Sequence, residues 1–221
     1  MTLAEKQVQR YSHHILLPQV GGKGQERLLA SAVAVAFGPG GAGAASVAVT
    51  YLAAAGVGRI GWLSLTGPEM AESGSLAELI ALYAPGGPGE SISALNPDAR
   101  LKVIEGGKEE MDEYELLVLS GDIRPLAVVA ARFEAAGKPV IKGSRNGWTG
   151  EVAMGRGDLS RDRLKPDEDE EPAPAAPTEG VLGSVMASAA LCALLKGNKP
   201  VGSTVQARFD LSHGLFEEAV R

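Results

Sequence analysis

The chain has 221 residues, 45% of them apolar and 22% charged, with a formal net charge of −6 and a single cysteine, Cys192. That length fits one domain with a core large enough to fold without staples, and one cysteine excludes a disulfide framework and a cysteine-built zinc site. No run of about 18 apolar residues occurs, the opening MTLAEKQVQR lacks a signal-peptide pattern, and no basic stripe points to nucleic acid. The expectation is a cytoplasmic protein with neither membrane nor nucleic acid as partner.

An amphipathic stretch over 5–17 leads into Gly21-Gly22-Lys23-Gly24, which reads as a flexible break, and then into one or two helical turns over 25–29. The run VAVAF over 33–37 is apolar throughout, as in a strand covered on both faces. Gly38-Pro39-Gly40-Gly41-Ala42-Gly43 follows, then an alanine-rich helix over 44–55 with Gly56 placed to end it. A second apolar run at 60–65 completes a β-α-β unit and implies parallel strands. Ser75-Leu76-Ala77-Glu78 is a capping-box sequence for a helix over 75–83, PGGPG over 85–89 is a loop, and 92–95 is a short helix. Strands are predicted at 100–104, 116–119, 140–141 and 148–154, with a helix over 125–136 that ends at Gly137.

Residues 162–179 hold seven acidic and two basic residues, which leaves the rest of the chain close to neutral. Together with the prolines there, this makes 158–179 an acidic, flexible linker inside a single domain that spans 1–221. An apolar helix over 181–195 and a hairpin around Ser212-His213-Gly214 close the chain. The fold class is α/β, a largely parallel sheet with antiparallel C-terminal strands.

Gly38, Gly40 and Gly43 have the spacing of a dinucleotide fingerprint, in its proper place between strand and helix. Such a loop offers backbone N–H groups and a helix N-terminus to a phosphate; the alternative is a tight turn that holds no ligand. The second strand ends in Ser64, where a ribose-binding unit carries a carboxylate. A nicotinamide oxidoreductase is therefore poorly supported.

Arg10-Tyr11-Ser12-His13-His14, with Gly38 to Gly43, Tyr51-Leu52-Ala53-Ala54-Ala55-Gly56, Asn96-Pro97-Asp98, the helix from Gly180 and Arg208-Phe209-Asp210, resembles the HesA/MoeB/ThiF family of ubiquitin-activating-enzyme-like proteins. The resemblance implies a Rossmann-like fold, and an activity in which ATP and magnesium adenylate the C-terminal glycine of a ubiquitin-like sulfur carrier. It assigns nucleotide binding to Gly38, Gly40, Gly41, Gly43, Ser64 and Asp122; Asp122 reads equally well as a helix cap. It implies a homodimer, with the carrier or an active paralogue as further partner.

The sequence departs from the family pattern at several points. His13 stands where the family carries an arginine contributed across the dimer interface, and Ser64 stands for the ribose aspartate. The segment 67–73 has no arginine, and the lysine expected before Asn96-Pro97 falls near Gly89-Glu90. Cys192, inside an apolar helix, reads as a core residue rather than a transfer cysteine, and no zinc is expected. Arg124, Lys142 and Arg145 follow predicted strands and are within reach of the pocket, or else are ordinary surface charge. These departures favour weak ATP and magnesium binding and a catalytically impaired protein that acts by dimerisation or by binding a carrier or paralogue. The alternative is an active ATP-dependent adenylyltransferase for a small sulfur carrier.

Overall fold

A computed structural model describes residues 3–64, 92–104, 110–122, 127–154, 175–197 and 205–220. The expected helix over 75–83, the loop over 85–89, Arg124 and most of the acidic segment lie outside them.

Short helices α1 (Glu5–Arg10) and α2 (Ser12–Leu16) precede α3 (Gly21–Ala30). The glycines read as a break are therefore helical. The Cβ position at Gly24 lies 2.9 Å from a methyl of Leu195, so this glycine permits close packing of two helices. Strand β1 (Ala32–Phe37), helix α4 (Ala42–Ala54) and strand β2 (Arg59–Ser64) form the expected β-α-β unit. Gly56, at φ +88°, turns the chain out of α4. Residues 92–95 form a helical turn, followed by β3 (Arg100–Val103), β4 (Leu116–Ser120) and α5 (Ala127–Ala135). Then come β5 (Val140–Asn146), β6 (Thr149–Met154), α6 (Ala175–Leu195), β7 (Val205–Asp210) and β8 (Leu215–Val220).

The strands make one eight-stranded sheet in the order β3-β2-β1-β4-β5-β6-β7-β8. The first five pair in parallel and the last three join antiparallel, the fold class read from the sequence. β5 and β6 meet through a two-residue turn, Gly147-Trp148, with Gly147 at φ +54°, a positive value at the first central position that favours glycine. All of β1 is buried. Val33, Val35 and Phe37 face α4 and α6, whereas Ala32, Ala34 and Ala36 face the core shared with α5, as strand alternation requires.

Helix α6 is longer than the sequence reading by six residues at its start. Its first turn takes in Ala175 to Glu179 from the segment read as linker, and Thr178 and Glu179 there are fully buried. Thr178 Oγ1 donates to Gly147 O at 3.0 Å and ties that turn to the β5–β6 hairpin. By length and composition α6 is apolar enough to cross a bilayer, yet half of the qualifying stretch is buried in this molecule, against α4 and the sheet. Cys192 is exposed. It follows Ser188 and precedes Lys196 at four-residue spacing, and all three lie on the outer stripe of the helix, so the reading of it as a core residue is corrected.

Candidate nucleotide crevice at the glycine loop

Strand order reverses beside β1: the chain leaves β1 toward β2 on one side, and β4 flanks it on the other. Open α/β sheets bind ligands at the carboxyl ends of strands at such a point. The loop Gly38–Gly43 lies there, and backbone bonds strap it to the end of β4. Gly38 N donates to Ser120 O at 3.0 Å, and Asp122 N donates to Pro39 O at 2.9 Å. Gly121, at φ +80°, donates to Gly143 O at 3.2 Å. Gly38, Gly40, Gly41, Gly43 and Asp122 are thus brought to one place. Ser64, at the end of β2, pairs with Phe37 in the strand register and lies one strand away.

Three of the glycines make room for the chain itself. A Cβ at Gly38 would lie 2.1 Å from Asp122 O, and one at Gly41 would lie 2.3 Å from Ser120 O. At Gly43, in the first turn of α4, it would lie 2.0 Å from Oε2 of Glu179. Gly40 is the loop's positive-φ residue, at +72°. The glycine pattern therefore reflects close approach of backbone and of one carboxylate.

Glu179 was not among the residues singled out from the sequence, where it reads as the last acid of a solvated run. It is fully buried, and Arg145 Nη2 donates to its Oε1 at 3.2 Å. Arg145 lies at the end of β5, on the face covered by α6. Lys142 points to the opposite face, where its Nζ lies 2.9 Å from Glu134 of α5. Ser120 Oγ is buried without a hydrogen-bond partner. By alternation with Leu116 and Val118 it shares the face of α4 and α6. Among the described residues no group of three or more His, Cys, Asp or Glu side chains gathers as a metal site.

The residues that open the chain sit elsewhere. Tyr11 is 2% exposed; it hydrogen-bonds with Asn96 and donates to Asp98, which also pairs with Arg10. Asn96 Nδ2 donates to Ala53 O at 2.7 Å, and Gln25 bridges His14 and Ala55 O. Burial raises the Tyr11 phenol above its ordinary pKa. The Tyr11 ring packs at Gly56, just beyond the C-terminus of α4. A 13-residue helix is about 20 Å long, so this network and exposed His13 lie at the end of α4 away from the glycine loop.

No family model matches the chain. The SAMP-activating enzyme E1 of Haloferax volcanii is 32% identical over 201 residues, covering 83% of this chain and 72% of that protein. The chain belongs to the HesA/MoeB/ThiF family. Within it, the sulfur carrier protein adenylyltransferase of Thermus thermophilus is 31% identical over 169 residues. The probable adenylyltransferase/sulfurtransferase MoeZ of Mycobacterium tuberculosis is 32% identical over 210. The chain spans 60% and 52% of those two relatives. Escherichia coli MccB, solved with ATP, superposes with a TM-score of 0.65 at 15% identity, over 96% of this chain and 70% of that one. PaaA gives 0.63 at 17%, over 99% and 75%. These two likenesses establish the fold. Two of these relatives are named as adenylyltransferases, and four of the landmarks that carried the resemblance, Arg10, Tyr11, Asn96 and Asp98, form one network beside Gly56.

Proposed function

We propose that this family member is impaired as an ATP enzyme and acts through its fold, as a homodimer that binds a ubiquitin-like sulfur carrier or an active paralogue. The observation that carries the reading is the pairing of both β5 cations. Glu134 holds Lys142 and Glu179 holds Arg145. Adenylyl transfer develops charge on phosphate oxygens and needs cations or N–H groups aimed at them, with a carboxylate to place magnesium. The described crevice offers backbone N–H groups and Asp122 but adds a second carboxylate, Glu179, against the first turn of α4. Ser64 is a weaker ribose acceptor than a carboxylate. This donor set does not fit a magnesium triphosphate.

Dimerisation is supported by the position of His13. It sits at the far end of α4 from its own glycine loop, so a second copy is the route by which that segment reaches one. Val8, Leu16 and Leu17, at 46%, 78% and 49% exposure, put apolar surface on the same segment.

The second reading, an active adenylyltransferase for a small sulfur carrier, is favoured by the meeting of the glycine loop with Asp122 and by the names of the relatives. Carrier-dependent pyrophosphate exchange separates the two, measured with a ubiquitin-fold protein ending in Gly-Gly while light scattering follows the same samples. The expected result is a dimer that retains the carrier while exchange stays at background. Exchange above background supports the active enzyme, and a monomer that retains no carrier overturns the proposal.

A further inference from the structure

We propose that Glu179 determines what the glycine loop accepts: its carboxylate holds the anion position at the start of α4 and keeps phosphate groups out. The inference deepens the reading of the site given above and rests on it. The first turn of a helix carries unpaired N–H groups and the positive end of the dipole, which is why phosphates settle there in nucleotide-binding β-α-β units. Here Oε2 of Glu179 comes so close to Gly43 that a Cβ on that residue would lie 2.0 Å away. The side chain is fully buried, and Arg145 fixes it from the other side at 3.2 Å. Thr178, the residue before it, is bonded to Gly147 O, so the carboxylate is delivered by an anchored turn. Ser120 Oγ, buried and without a partner, is a second polar group on the same face of the sheet, two residues before Asp122.

A fixed negative charge in a site with little water repels a phosphate placed a few ångströms away far more than it would in bulk solvent. It also takes up Arg145, the one described cation on this face at the end of β5. Neutralising Glu179 therefore has two effects with the same sign: the repulsion disappears, and the positive charge of Arg145 is no longer offset by the Glu179 carboxylate. Adenosine carries no phosphate and is indifferent to both.

The test is calorimetry of pyrophosphate, Mg-ATP and adenosine with the wild-type chain and with Glu179→Gln, which keeps an oxygen for Arg145. The double variant Arg145→Gln/Glu179→Gln provides the comparison if the single one fails to fold. Expected is at least tenfold tighter pyrophosphate and Mg-ATP binding in Glu179→Gln, a smaller gain in the double variant, and unchanged adenosine binding. Equal phosphate affinity in wild type and variants overturns this inference, even where the wild type shows no exchange activity and the reading of the protein as impaired stands. Low-micromolar Mg-ATP binding by the wild type overturns both. An equal gain for adenosine assigns Glu179 a merely steric role and overturns the charge argument.

Discussion

Gly43 and Glu179 occupy one space, and exchanging side chains there reads out their contact. Alanine is favoured over glycine inside a helix by about 1 kcal/mol. At position 43, however, the added methyl meets the Glu179 carboxylate, and overpacking of this kind costs about 1–3 kcal/mol. Gly43→Ala is expected to destabilise the protein in urea unfolding. In a Glu179→Ala background the same substitution is expected to be neutral or stabilising. Identical effects in both backgrounds mean that the two residues do not touch. Tyr11→Phe removes one hydroxyl from the Asn96 and Asp98 network and is expected to cost about 1–2 kcal/mol; a change within about 0.3 kcal/mol would show that the network is not coupled to folding. At the β7–β8 turn, hydrogen bonds from Ser212, then His213, lower the Asp210 carboxyl from its ordinary 3.8 to about 2. A depressed folded value means stability that is present above pH 3.8 and lost as pH falls through about 2. An NMR titration of the Asp210 carboxyl is expected to give the low midpoint, and a midpoint near 3.8 contradicts the bonding.

Helix α6 shows what sequence periodicity hides. Its apolar residues run nearly all round, so no single buried face stands out, and Cys192 reads as core on composition alone. The structure resolves the stripe: Leu182, Met186, Ala190 and Leu194 are buried, whereas Ser188, Cys192 and Lys196 are outside. The thiol of Cys192 is expected to react stoichiometrically with a thiol reagent in native buffer; reaction only after denaturant is added would place it back in the core or under a partner. The start of α6 misled for a different reason. An acidic, proline-bearing composition predicts solvation, and Glu179 belongs to that composition. It is buried because a cation and a helix N-terminus wait for it, and both are long-range partners. Proline at position 177 falls within the first turn, where its missing N–H costs nothing.

Across the whole molecule, most of the sheet was legible from the chain because β1, β2 and β4 contain short apolar runs and the β-α-β unit has its turn glycines in order. The glycine loop was legible for the same reason, and the structure brings it together with Asp122 through β4. The pairing of Arg145 with Glu179 and of Lys142 with Glu134 was not legible, because partners 34 and 8 residues apart meet only once strand order and face are known. In the function proposed above, that pairing is what separates a phosphate cradle from a turn that resembles one. The direct measurement is calorimetric titration of Mg-ATP into the purified wild-type chain. The expected result is a dissociation constant weaker than about 100 μM, roughly −5.5 kcal/mol. Binding near about 1 μM, roughly −8 kcal/mol, that disappears in Asp122→Ala would show a working nucleotide site and contradict the impaired enzyme proposed for this fold.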